Sequence, residues 1–149
     1  MNPFDLKCAL LAKHAQHVVV IHFPIALFTA SVFFDLLARW RRDKALATAS
    51  YYNLVAGAVA ALPALATGLI AWQWLLEGEK LKGNLLLHLI LGLTSAGLIW
   101  LLAWWRTRQR RRTEERLTIP YLTVELLAVV MIALTGHLGG ILSGVEISP

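Results

Sequence analysis

Residues 17–39 read HVVVIHFPIALFTASVFFDLLAR, an apolar run broken by two histidines, a proline and one aspartate before a closing arginine. As a helix rising 1.5 Å per residue it reaches roughly 34 Å, enough to cross a hydrocarbon core of about 30 Å. Three more blocks of this kind follow, at about 51–75, 84–105 and 121–141. The 149-residue chain is 58% hydrophobic and 15% charged, whereas a soluble domain carries about 25% charged residues. The four blocks are joined by short connections, RRDKALATAS, LEGEKLKG and RTRQRRRTEERLTI. Short links make sequential helices antiparallel neighbours. The expected fold is an all-α integral membrane four-helix bundle, up-down-up-down, with residues 1–149 forming one membrane domain.

The opening residues 1–13, MNPFDLKCALLAK, mix apolar and charged side chains without the basic start and cleavage site of a signal peptide. They read as a short amphipathic segment on the membrane surface. Cys8 is the one cysteine, so no intramolecular disulfide is available, and it reads as a small apolar residue of that segment.

Basic residues set the expected orientation. The first and third connections with their flanks hold Arg39, Arg41, Arg42, Lys44, Arg106, Arg108, Arg110, Arg111, Arg112 and Arg116; the other side has Lys7, Lys13, Lys80 and Lys82. The positive-inside rule then puts those two connections in the cytoplasm and both termini in the periplasm. Trp40, Trp104, Trp105 and Tyr121 are expected at the cytoplasmic interface, with Trp72 and Trp74 near the outer one. The net charge of +5 and the arginine run lack the interleaved aromatics of a nucleic-acid platform. They fit contact with anionic lipid heads, and no nucleic-acid partner is expected.

All five histidines, His14, His17, His22, His88 and His137, fall toward the outer side in this topology. Ionisable groups at membrane depth mark functional sites by default. Counted from Arg39, Trp105 and Tyr121, His22, His88 and His137 stand roughly 24–25 Å above the cytoplasmic boundary, and His17 roughly 7 Å further out. Thr67 and Gly68 fall near that level, and Gly136, Gly139 and Gly140 flank His137. Pro24 removes a helix hydrogen bond, a kink that would tilt His22 inward.

Imidazoles at one height amid small residues suit a b-type haem, which needs two axial nitrogens, an apolar slot and a polar rim. The first and third helices are diagonal, so His22 and His88 are the expected axial pair. His137 is then the alternative ligand and His17 a propionate partner, with Gly68, Gly136 and Gly139 leaving room for the macrocycle. A three-imidazole zinc or copper site of His22, His88 and His137 is the rival, and a cofactor-free role for the histidines in helix packing is the third reading. Asp35 is read as a local ion pair with Arg39 and Glu125 as the partner of one of the arginines. Polar groups between these carboxylates and the histidines are sparse, so no proton path is expected.

The stretches His17-x4-His22-Phe23-Pro24-Ile25-Ala26-Leu27, Phe34-Asp35-Leu36-Leu37-Ala38, Ala61-Leu62-Pro63-Ala64-Leu65-Ala66-Thr67-Gly68, His88 and Thr135-Gly136-x2-Gly139-Gly140 occur in this order across nearly the whole chain. In this the chain resembles the bacterial membrane family called domain of unknown function 2231. The family typically reads His-Pro where His17 is followed by Val18 here, and often has an aromatic residue near the position of His137. The resemblance therefore favours His22 and His88 over His137. It implies a bacterial inner-membrane protein, and the cytochrome-like or iron–sulfur partners of some members imply redox work.

No nucleophile–base pair, phosphate loop or dinucleotide fingerprint is present, so autonomous enzymatic turnover is not expected. The favoured reading is a haem b protein passing electrons from a membrane or quinone donor to a periplasmic cytochrome or iron–sulfur protein. A structural or assembly subunit of a respiratory complex, without a cofactor, and a histidine-based metal-handling protein are the alternatives.

Overall fold

Inside a bilayer every backbone polar group must be satisfied within the chain, and the four apolar blocks meet that demand as four long helices. The computed structural model describes residues 13–75, 80–111 and 118–143. Its helices are α1 (Lys13–Arg41), α2 (Lys44–Leu75), α3 (Gly83–Arg111) and α4 (Ile119–Leu142), and all four are long and apolar enough to cross a membrane. The surface segment read over residues 1–12, with Cys8, lies outside the described residues, as do 76–79, 112–117 and the side chain of His14.

The helices outrun the expected spans at the end carrying the arginines, called here the basic end. Most of the connection RRDKALATAS is helical because Asp43 caps α2: its Oδ1 accepts from the Ala45 and Leu46 amides at 2.7 and 3.4 Å. The turn between α1 and α2 is correspondingly tight, with Arg42 at φ 55° and the Asp43 amide returning to the Ala38 carbonyl at 3.1 Å. Likewise α3 continues through its arginines to Arg111. Pro120 in the first turn of α4 occupies a position where no amide is needed.

The bundle is two hairpins. α1 packs most extensively on α2, and α3 on α4; α2 meets α3 less, and α1 and α4 touch at few points. Gly57 sits at the close α1–α2 contact, where an added Cβ would stand 3.4 Å from both the Phe28 amide and Leu27 Cβ. Ser31 and Ser50 bond across the same interface at 3.1 Å. Phe28, Leu54, Leu102 and Ala128, one from each helix, form the centre of the apolar core. Large apolar side chains such as Phe33, Trp40, Val59, Leu101 and Leu127 face outward, as lipid contact allows.

The hairpins repeat each other with an offset of 71 residues, the separation of the directly bonded Asp35 and Arg106. At that offset, Pro24 and Ser95, Phe28 and Ile99, Ser31 and Leu102, and Val32 and Ala103 are buried at both positions of α1 and α3. Ser50 and Tyr121, Leu54 and Glu125, and Gly57 and Ala128 are buried at both positions of α2 and α4. The second hairpin thus reuses the inward faces of the first.

Candidate functional site

Between the two hairpins, at the histidine end, lies a cavity of about 480 Å³ walled by all four helices. That volume is in the range of cofactor and ligand sites. Its walls are mainly apolar, including Ile25, Ala61, Ala96 and Ile132, and glycines 68, 92, 136, 139 and 140 keep them thin. His17, His22 and His88 line it.

In each hairpin a histidine of the first helix rests on a glycine of the second. A Cβ at Gly68 would lie 3.0 Å from His17 Cε1, and one at Gly139 would lie 3.2 Å from His88 Cε1. Glycine is thus required at both positions for the rings to sit where they do. A threonine orients each ring as well. The Thr67 hydroxyl donates to the Pro63 and Ala64 carbonyls at 2.8 and 3.0 Å, so it accepts from His17 Nδ1 at 3.2 Å. His88 Nδ1 donates to the Thr135 carbonyl at 3.0 Å. Both histidines therefore carry their proton on Nδ1, and Nε2 is the nitrogen with the lone pair. That tautomer, fixed by an oxygen acceptor, is the one in which imidazole ligates a metal through Nε2.

His22 is more exposed and its Nδ1 donates to its own helix, to the Val18 carbonyl at 2.5 Å. His137 is exposed and is not among the residues lining the cavity. Among the described residues no three His, Cys, Asp or Glu side chains gather as a metal-ligating group, so His22, His88 and His137 are not brought together. Gly136 lines the cavity, with open space where a Cβ would stand.

The depth ruler also changes. Because Asp35 and Arg106 are bonded, they mark one height on α1 and α3. His17 and His88 each lie 18 residues before their member of that pair, roughly 27 Å along each helix. His22, 13 residues before Asp35, stands roughly 20 Å away. Arg39 and Trp105 are not equivalent positions, and counting from them had matched His22 to His88. The 71-residue offset could have been found in the sequence, since it aligns His17 with His88 and Gly68 with Gly139.

At the basic end the helices meet in a polar node. Arg106 donates to both oxygens of Asp35 at 2.9 Å each and to the Ala47 carbonyl at 3.3 Å. Its guanidinium lies 5.6 Å from the Tyr121 ring centre, and Tyr121 in turn stacks edge-on against Trp105. Arg106 from α3 thus touches α1, α2 and α4. Two expectations, for the partners of Asp35 and Glu125, change here. The bidentate partner of Asp35 is Arg106, because an intramembrane carboxylate faces the bundle interior. Tyr121 is completely buried, packed by Arg106 and Trp105. Glu125 is also completely buried, and among the described residues neither of its oxygens has a hydrogen-bond partner. Arg106 is already committed to Asp35.

No curated protein and no solved structure matches the chain. One family model does, over residues 13–145 and so over all four helices, and by that match the chain belongs to the family of predicted membrane proteins named DUF2231.

Proposed function

We propose that this multi-pass membrane protein holds a b-type haem in the cavity between its hairpins, with His17 and His88 as the residues that would hold it. The observation that carries the reading is the equivalence of these two residues. They come from diagonal helices at one height, line one cavity, rest on Gly68 and Gly139, and hold their protons on Nδ1. Replacing His22 by His17 in the expected pair follows from the same equivalence. The apolar walls and glycines suit a flat macrocycle, and His22 lines the same cavity with its Nδ1 tied to α1. When bound, haem supplies one-electron transfer. The chain's own part is to orient two imidazoles, exclude water from the apolar walls and leave room between the hairpins. Electrons would pass from a membrane or quinone donor to a periplasmic cytochrome or iron–sulfur protein, or within a respiratory complex.

The test is the reduced-minus-oxidised spectrum of protein purified from haem-replete bacterial cells. Wild type should show a b-type haem. His17→Ala and His88→Ala should each abolish it, and His137→Ala should leave it intact. A colourless wild type rejects the reading; loss in His22→Ala with retention in His17→Ala restores the pair expected from the sequence. Placement in the inner membrane with both termini periplasmic rests on the arginine distribution. Reporter fusions at Lys44 and Arg112 should read cytoplasmic and those at Lys80 and the C-terminus periplasmic.

A further inference from the structure

We propose that the node at the basic end is a proton-binding site, in which Asp35 and Glu125 together hold one proton. The argument is independent of what occupies the cavity. Both carboxyl groups are completely buried, in a protein whose four helices are those of a membrane bundle. An isolated buried charge is strongly unfavourable, so the charges of the node must balance.

The groups facing Glu125 come from every helix. α1 contributes Asp35 and α3 contributes Arg106, both of which interact electrostatically with Glu125. α4 contributes Tyr121, whose hydroxyl is buried and has no hydrogen-bond partner among the described residues. α2 contributes no charged group to the node; it offers the Ala47 carbonyl, which accepts from Arg106. One guanidinium therefore faces two carboxyl groups. With both ionised the node has a net charge of −1; with one proton bound it is neutral.

Geometry says where that proton goes. The two oxygens of Asp35 are taken by the fork of Arg106 at 2.9 Å each, an arrangement that requires a carboxylate. Glu125, completely buried, has among the described residues no donor to stabilise a negative charge, and the one guanidinium of the node is already forked onto Asp35. Glu125 is thus the residue that carries the proton, while Asp35 stays paired with Arg106. On release, the Glu125 O–H bond breaks, the proton passes to water, and both carboxylates are left opposite Arg106. The site sits on the basic side of the Phe28–Leu54–Leu102–Ala128 core, and the buried Gln109 and the Tyr51–Thr107 hydroxyl pair at 3.4 Å continue from it along the basic end.

Infrared spectroscopy of the purified full chain in detergent tests this directly. At neutral pH the wild type should show the carbonyl stretch of one protonated carboxylic acid, moving in D₂O, and Glu125→Gln should lack it. Absence of the band from wild type at neutral pH, or its survival undiminished in Glu125→Gln, overturns the proposal. Should Glu125→Gln fail to fold, carboxyl-¹³C labelling of glutamate in the wild type reads the same group. The band should then shift, and an unshifted band excludes Glu125 as the carrier. Neither measurement requires haem, so a colourless protein leaves this test standing.

Discussion

The two ends of the bundle solve the problem of polar groups in a membrane in opposite ways. At the basic end Arg106 crosses the bundle, forks onto Asp35, takes the Ala47 carbonyl and lies on the Tyr121 ring, and the helices close around it. At the histidine end the polar groups are tied back to the hairpin they belong to, His17 to Thr67 and His88 to Thr135, and a cavity remains between the hairpins. Bonds between hairpins close a bundle, whereas bonds within each hairpin leave space between them. The first end is closed by its polar contacts and the second keeps a cavity.

The sharpest way to break this contrast is to remove one partner of the ion pair. Asp35→Ala leaves a buried guanidinium uncompensated and should cost about 3–5 kcal/mol, read as unfolding in detergent. Asp35→Leu combined with Arg106→Met should recover most of that loss, because two apolar residues leave no charge unpaired. Removing the imidazole of His88, by contrast, sacrifices one hydrogen bond to a carbonyl and should cost about 1 kcal/mol. Equal losses at the two ends would erase the distinction.

A smaller effect is expected from the glycines. Gly68→Ala and Gly139→Ala place a methyl group 3.0 and 3.2 Å from the ring carbons of His17 and His88, so each ring must shift by a few tenths of an ångström or more. Alanine also favours the helix by up to about 1 kcal/mol over glycine. Haem per folded protein should therefore fall while the stability of the haem-free form stays level or rises. Gly97→Ala is the control: nothing lies within 4 Å of its added Cβ, and neither quantity should drop. A parallel fall of stability and haem content in the two variants would mean that these glycines serve packing alone.

Much of the architecture was legible in the sequence. Span number, approximate limits and the presence of histidines at one end all follow from residue type along the chain. Errors arose where partners lie far apart. Asp35 has Arg39 four residues away, but its bidentate partner is 71 residues distant. Glu125 is expected to pair with one of the arginines, but Arg106 is committed to Asp35 and among the described residues neither Glu125 oxygen has a partner. Of the candidate site residues, His17, His22, His88, Gly68, Gly136 and Gly139 line the cavity and His137 does not. Composition cannot distinguish these cases, because each depends on how a helix is rotated about its axis.

The sequence by itself determined that this chain inserts as four helices, because the transfer of side chains into lipid adds residue by residue and backbone hydrogen bonding then leaves the helix as the available form. Tertiary structure alone decided which faces meet. Helix rotation and register are set by close contacts such as Gly57 on Phe28 and by the fork of Arg106 on Asp35. Those contacts fix the common height of His17 and His88, open the cavity between the hairpins, and bury Glu125 beside a carboxylate. Each depends on residues brought together across the bundle, at separations where local propensity carries no information.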